Sequence, residues 1–387
     1  MHTAPTVLVY HNELLPFSAT FIRTQAAALQ RYQAAFAGIF PTRRDSLPLN
    51  LSKPPVLLTH DQSLPSRLRR RAYKEYGIGG RRFLRELARL EPALIHAHFA
   101  LDAVTAMRIA HELQIPLVTT LHGYDVTIRD EQLAKDADGR IYLRQRDELY
   151  ERTAHFFTSC DYIQQRARER GFPAAKMETL YSGHEMSKFD RPEVERNRNL
   201  IVYIGRLVEK KGCAYLLRAA ASAAERCPDI ELAIIGQGPL REELEALAKE
   251  LGVRASFLGP LLNPEPGNDV IDWLARARLF CMPSITASDG NTEGQPAVFV
   301  EAHGMGTPAV SFATAGIGEA VLQGETGLLA PEKDIPALAD AMVELLSNDE
   351  LWSRFSARAR TWTAERFDIR KLNVQLENAY ERVLTAR

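Results

Sequence analysis

"LIVYIGRLVEKKGCAYLLRAAASAAERC", Leu200 to Cys227, opens on five apolar or β-prone residues and passes Gly205 into a charged turn. Beyond the turn, Leu216, Leu217 and a set of alanines recur at helical spacing. A strand apolar on both faces, a tight turn and a helix make up the repeating unit of a parallel sheet. The unit recurs downstream in "ELAIIG" followed by "LREELEALAKEL", and further strands are read in "ASFLG", "LFCMPS", "PAVSF" and "GLLA". Upstream, "TVLVY", "ALIHAHF", "PLVTTLHG" and "HFFTS" alternate with helical stretches such as "DAVTAMRIAHELQ". An α/β chain with two doubly wound parallel sheets is therefore expected. The polar stretch "YSGHEMSKFDRPEVERNRN", Tyr181 to Asn199, holds Gly183 and Pro192 and is read as the join. We place a first domain at 1–185 and a second at 195–369.

A chain of 387 residues is too long for one ordinary core, which agrees with two domains. Hydrophobic content of 45% and charged content of 25% are those of a soluble globular protein. No run approaches the roughly 20 apolar residues of a membrane span, and "MHTAPTVLVY" lacks the basic start of a signal peptide. Cys160, Cys213, Cys227 and Cys281 form no CxxC pair, so reduced thiols and a cytoplasmic location are expected. A net charge of −1 argues against a nucleic-acid binder. The charge is unevenly spread, however. Residues 1–190 carry 26 Lys+Arg against 21 Asp+Glu, whereas residues 191–387 carry 22 against 28. Arg67 to Arg89 alone holds nine Lys or Arg against two Glu, with Leu68, Ala72 and Tyr76 on one helical stripe and Phe83, Leu84 and Leu87 on the next. Either both stripes pack on the sheet beneath solvated arginines, or the arginines rest on an anionic membrane surface.

Four places could carry chemistry. Arg206 follows a strand that ends at Gly205, and Lys211 with Gly212 opens a helix, so cations and helix-end amides meet as in a pyrophosphate clamp. In "IIGQGPLREELE", Gly236 and Gly238 make either a phosphate-approach turn or a purely structural one, and the third glycine of a nicotinamide fingerprint is Arg241. His96 and His98 share a strand face, and His122 and Asp125 follow the next strand. In "DGNTEGQPAVFVEA", Glu293 sits on a glycine-flanked turn and Glu301 follows the apolar run. The Asp-x-Asp at Asp136–Asp138 lies in a polar stretch and is read as a loop that binds no metal.

Taken together, "HAHF", "LHGYD", "IGRLVEKKG", "IIGQGPLREELE", "FLG", "EGQPAVFVEAHGMGTPAV" and "GETGLL" resemble the retaining GT-B glycosyltransferases of family four. "TFIRTQ", "HGYD" and "DGNTEGQP" are most similar to the branch that builds bacterial exopolysaccharides of the colanic-acid type. The resemblance implies two Rossmann-like domains facing a cleft, the first for the acceptor and the second for the nucleotide sugar. It also implies that the final helix, about 370–387, packs back on the first domain. By motif match, Arg206 and Lys211 hold the donor diphosphate with backbone amides around Gly294, Gln295 and Ala297 nearby, and Pro296, Gly236 and Leu258 also line the donor. Glu301 binds the ribose and Glu293 contacts the transferred sugar. His98 lines the acceptor side with His122 and Asp125. The catalytic set is Glu293, His98, Arg206 and Lys211, with no metal and no cofactor.

Some positions depart from the family pattern. The usual glycine pair of the first strand–helix loop is "NELLPFSATF", where Ser18 and Thr20 are candidate substitutes. "SGHE" replaces the common NGVD, and His303 stands where an apolar residue is usual. The resulting expectation is a metal-independent hexosyltransferase acting on a UDP-sugar and a saccharide or lipid-linked acceptor, cytoplasmic or peripheral on the inner face of the plasma membrane. Sugar-nucleotide epimerase, phosphorylase, and a silent sugar-binding subunit are the rival readings.

Overall fold

The computed structural model describes residues 4–14, 20–42, 51, 53–192, 194–261 and 267–386. Ser18 lies outside them. The chain divides into two compact units, Met1–Gly183 with Ile369–Arg387, and His184–Asp368.

In the first unit seven parallel strands form one sheet: β1 (Thr6–Tyr10), β2 (Gln33–Gly38), β3 (Val56–Leu57), β4 (Pro92–His98), β5 (Leu117–Leu121), β6 (Thr153–Thr158) and β7 (Met177–Thr179). Their order is β3-β2-β1-β4-β5-β6-β7. The sheet winds outward in both directions from β1 and β4. Val7, Leu8, Val9 and Tyr10 are all buried, as are all five residues of β5, because helices cover both faces.

The Ile369–Thr385 helix belongs to this unit. Its Glu377 accepts from the Gln30 and Arg31 amides at 2.7 Å each, and Asn373 donates to the Gln25 carbonyl at 2.9 Å. Its Tyr380 hydroxyl lies 2.6 Å from His96 Nδ1.

The second unit repeats the plan with β8 (Asn197–Ile204), β9 (Glu231–Ile235), β10 (Ala255–Gly259), β11 (Ala277–Cys281), β12 (Ala309–Phe312) and β13 (Gly327–Ala330). Their order is β10-β9-β8-β11-β12-β13, so the winding reverses between β8 and β11. In open sheets of this kind, ligands bind beyond the strand ends at the reversal point.

Two expectations about the first half need correction. The Asp136–Asp138 stretch is not a loop. Asp136 caps the Ala137–Arg152 helix by accepting from Gly139 N at 2.7 Å, and Asp138 in the first turn pairs with Lys74 at 2.7 Å. Arg67–Arg89 is likewise not uniformly packed. It forms two helices, Leu64–Tyr76 and Arg81–Ala88, and the first of them ends at Gly77 with φ 74°. Phe83 and Leu87 are buried, but Leu68 is 60% and Tyr76 68% exposed. Arg70 and Tyr73 form the inward face of the first helix instead. Among the described residues no helix is long and apolar enough to cross a membrane.

Candidate functional site

At the reversal point of the second unit, β8 ends in a charged turn that lies against the exit of β11. A Cβ on Gly212, whose φ is +67°, would lie 1.8 Å from the Pro283 carbonyl oxygen, so only glycine allows this approach. Three consecutive residues then clamp the segment after β11. Glu209 accepts from Ser288 N at 3.2 Å and Ser288 Oγ at 2.8 Å. The Lys210 carbonyl accepts from Ile285 N at 2.8 Å, while its ammonium donates to Asn291 Oδ1 at 3.1 Å and the Thr292 carbonyl at 3.3 Å. Lys211 Nζ reaches Glu293 Oε1 at 3.1 Å, and Lys210 Nζ reaches the same oxygen at 3.4 Å.

Glu293 is thus a buried carboxylate between two nearly buried ammoniums. Burial alone would raise its pKa, but the Lys211 and Lys210 charges outweigh that and hold it at about 2. No donor among the described residues is aligned for a hydrogen bond to Oε1, so the contact is one of charge. Burial pulls the Lys210 pKa down, with Glu293 opposing. Glu293 therefore stays ionised at neutral pH. Arg206 is exposed beside it, and among the described residues nothing bonds its guanidinium. Lys210 was not singled out from the sequence, where two adjacent lysines look alike.

Gly294 to Ala297 lead from Glu293 into the Ala297–Gly304 helix, which begins without a side-chain cap. The Phe299 amide bonds the Pro296 carbonyl at 3.1 Å, and no side chain caps the Ala297 and Val298 amides ahead of it. Glu301, one turn in, accepts from Lys188 Nζ at 2.6 Å and remains partly exposed. Gly236, with φ +141°, packs so tightly that a Cβ would meet the Gly205 carbonyl oxygen at 2.0 Å. That contact sets the turn after β9 directly beside Arg206. Leu258 on the edge strand β10 is 38% exposed. His184 and His303 are buried, and burial lowers each to about 4. Neither His303 ring nitrogen has an aligned partner among the described residues.

In the first unit the reversal point lies between β1 and β4. His98 at the end of β4 shares a 3.0 Å hydrogen bond between its Nδ1 and His122 Nε2. His96 stacks on His98 with ring centres 4.5 Å apart, and both its nitrogens are satisfied, by Tyr380 and by Thr120 Oγ1 at 2.7 Å. It is a core support. Burial keeps His98 well below its ordinary pKa and His122 at about 3, so the pair is neutral.

Asp125 is 1% exposed, and its oxygens accept from the amides of Ala100, His122 and Gly123. It ties the turn after β5 to the start of the Ala100–Leu113 helix and so positions His98 and His122. Burial raises it to about 6 against those amides. Three further residues join this site. Asn12 donates twice to Asp102 at 2.8 Å, and His11 Nδ1 lies 3.3 Å from Asp102 Oδ2. The readable signal was "HN" directly after the apolar β1. No grouping of His, Cys, Asp or Glu among the described residues could hold a metal ion.

Two doubly wound units, one with a cationic, amide-rich crevice at its reversal point, define a class that the comparisons identify. The family model for glycosyl transferases group 1 matches residues 198–348, and that for Glycosyltransferase Family 4 matches residues 18–188. The putative colanic acid biosynthesis glycosyltransferase WcaL of Salmonella typhimurium is 29% identical over 293 residues, spanning 74% of this chain and 70% of that protein. The amylovoran biosynthesis glycosyltransferase AmsK of Erwinia amylovora is 29% identical over 256 residues, spanning 65% and 60%. Among solved structures, Anabaena HepE in complex with UDP and glucose matches with a TM-score of 0.74 at 17% identity, over 98% of this chain and 100% of that one. That likeness carries the fold. The molecule is a glycosyltransferase with the GT-B fold. Within that class, the chain belongs to family four, the group 1 glycosyl transferases.

Proposed function

We propose that this glycosyltransferase moves a hexose from a nucleoside diphosphate sugar, with UDP as carrier, onto a saccharide or lipid-linked saccharide in bacterial surface or exopolysaccharide synthesis. The observation that carries the reading is the convergence of Arg206, Lys210, Lys211 and the uncapped Ala297–Gly304 helix around Glu293. The names of WcaL and AmsK and the UDP and glucose bound to HepE support the substrate classes. The second unit takes the donor and the first the acceptor. The bond from the anomeric carbon to the phosphate oxygen breaks, and the acceptor oxygen bonds that carbon on the same face. The acceptor proton passes to the leaving phosphate, so configuration is retained. Fixed cations and amides stabilise the charge that grows on the diphosphate. His98 and His122 serve the acceptor side, with Asp125 holding them.

Glu301 binds the ribose hydroxyls, releasing Lys188 when nucleotide arrives. Calorimetry with UDP, GDP and ADP should show UDP bound tightest. Glu301→Ala should weaken UDP by about 1.5–3 kcal/mol, the range for hydrogen bonds to a charged group. Equal UDP affinity in both proteins would leave Glu301 as only a helix-surface partner of Lys188.

The reaction needs no divalent ion, because lysine and arginine supply the positive charge and Asp136 and Asp138 are committed to a helix cap and an ion pair. Turnover should survive EDTA. Activity lost to EDTA and restored by magnesium or manganese would contradict this.

Arg67–Arg89 rests on anionic lipid near such an acceptor, at about 1 kcal/mol per basic residue close to the surface. On this reading the enzyme is cytoplasmic and peripheral on the inner face of the plasma membrane.

A further inference from the structure

The Leu64–Tyr76 and Ala137–Arg152 helices line a cavity of about 450 Å³, and Phe40, whose amide donates to the Asn12 carbonyl at 3.2 Å, is also in the lining. Arg67, Arg70, Arg71, Lys74, Arg140 and Arg144 line it, against only Glu75 and Asp138. Three of the six cations are engaged: Lys74 pairs with Asp138 at 2.7 Å, Arg70 donates to Gln62 at 2.9 Å, and Arg140 donates to the Ala134 and Lys135 carbonyls at 3.0 and 3.1 Å. Arg71 and Arg144 reach Glu75 only at 3.7 and 3.5 Å and are 76% and 58% exposed. Arg67 has no counter-ion among the described residues. Guanidiniums on two walls of a small cavity match the oxygens of a phosphate group, which can accept paired hydrogen bonds from each. The sequence could not indicate this site, since Arg140 and Arg144 lie far along the chain from the basic stretch.

A second observation selects the source of the phosphate. Leu64 is 68% and Leu68 60% exposed, one turn apart on the helix that carries Arg67 and Arg71. Tyr76 and Ile78 follow at 68% and 64%, so half of the large exposed hydrophobics among the described residues fall within Leu64–Ile78. Exposed leucines beside arginines suit the boundary between headgroups and acyl chains, where both groups gain. We propose that this cavity binds the phosphate of an anionic membrane-lipid headgroup while Leu64 and Leu68 enter the acyl boundary. The proposal rests on the lipid-surface reading of Arg67–Arg89 and gives that surface a discrete site.

The test compares two double variants of the full chain, each losing two exposed charges. Arg71→Gln with Arg144→Gln removes one cation from each cavity wall. Arg85→Gln with Arg89→Gln removes two that lie outside it. Partitioning is measured onto phosphatidylcholine vesicles with and without phosphatidylglycerol, and unchanged thermal melting shows that both variants fold. Diffuse adsorption loses about fivefold per charge, equally for both pairs. A site predicts that the cavity pair loses at least about tenfold more than the outer pair. Short-chain phosphatidylglycerol below its micelle concentration should bind the wild type saturably, should fail to bind the cavity pair, and should outcompete inorganic phosphate.

Equal losses in the two pairs would overturn the site and leave the surface reading standing. Wild-type protein that ignores anionic vesicles would overturn the surface reading and the membrane site that rests on it, whether or not the short-chain lipid binds. Inorganic phosphate binding as tightly as the lipid would overturn the lipid source.

Discussion

Glu293→Gln lowers kcat by about 10²–10³-fold, the usual cost of removing one preorganised charge from a transition state. Affinity for the free nucleoside diphosphate does not fall and is expected to rise. The reason lies in how the two lysines are held. Lys210 is tethered to Asn291 and Thr292 and stays beside Glu293, whereas the Lys211 ammonium pairs, among the described residues, with Glu293 and can turn toward phosphate. Glutamine keeps the shape but leaves both ammoniums without a counter-charge, so they attract diphosphate more strongly. The same loss destabilises the protein by about 3–5 kcal/mol, as when one member of a buried ion pair is removed. Kinetics therefore need a temperature well below the lowered melting point. Steady-state rates together with calorimetry on free UDP decide the matter. An unchanged kcat with weakened UDP would make Glu293 a nucleotide anchor and not a group acting on the transferred sugar.

Acid should unfold the first unit near pH 5 and the second nearer pH 4. Burial, aided at several sites by neighbouring histidines, holds His96 and His122 at about 3, His155, His184 and His303 at about 4, and His98 well below its ordinary value. In the unfolded chain each charges near pH 6.5 (about the ordinary value). The folded pKa is the lower of the two, so the stability these groups confer is complete above about 6.5 and is lost as pH falls toward 4. The unfolded chain binds the extra protons, and each histidine removes about 1.4 kcal/mol per pH unit.

Four of the six lie in the first unit, where Asp125 opposes them because its folded value of about 6 exceeds its ordinary 3.8. Two lie in the second unit, where Glu293 adds its own loss only between about 4.5 and 2. Against domain stabilities of about 5–15 kcal/mol, three net protons reach the unfolding point sooner than two. Circular dichroism across pH, with probes in each unit and proton uptake measured by calorimetry, provides the check. A single transition below about pH 3, with less than one proton taken up, is incompatible with this account.

The six strands of the second unit were all readable because each carries a short apolar run; the inner ones are buried on both faces, as a parallel sheet under two helical layers requires, while the edge strand β10 leaves Ser256 and Leu258 exposed. In the first unit β2, β3 and β7 were not. "QAAFAG" buries alanines, which carry little periodic signal, and the other two strands are only two and three residues long. Glu293, Lys211 and Gly236 could be picked out as candidates because local spacing put them on glycine turns after strands. Lys210 could not, since its part depends on Asn291 and Thr292, some eighty residues away. Of the His11–Asn12–Asp102 cluster only "HN" after β1 was readable, since Asp102 joins it across ninety residues. The outward turn of Leu68 and Tyr76 was left open because apolar spacing shows that a helix is amphipathic but not which face turns inward.

The hydrogen bond between His96 and Tyr380 bears on how the polypeptide is made. Every strand of the first unit has left the ribosome once Thr179 emerges, yet the helix that supplies Tyr380 begins at Ile369. At about 5–20 residues per second the nascent first unit waits roughly 10–40 seconds for its last piece. During that interval Tyr32 lacks the aromatic ring it packs against, 5.3 Å away in the finished fold, and His96 lacks a partner for Nδ1. The second unit, contiguous in sequence, can close in the meantime. Completion of folding can therefore run opposite to chain order: the unit encoded later can close first, and the histidine stack of the earlier one is completed only after Tyr380 has been made.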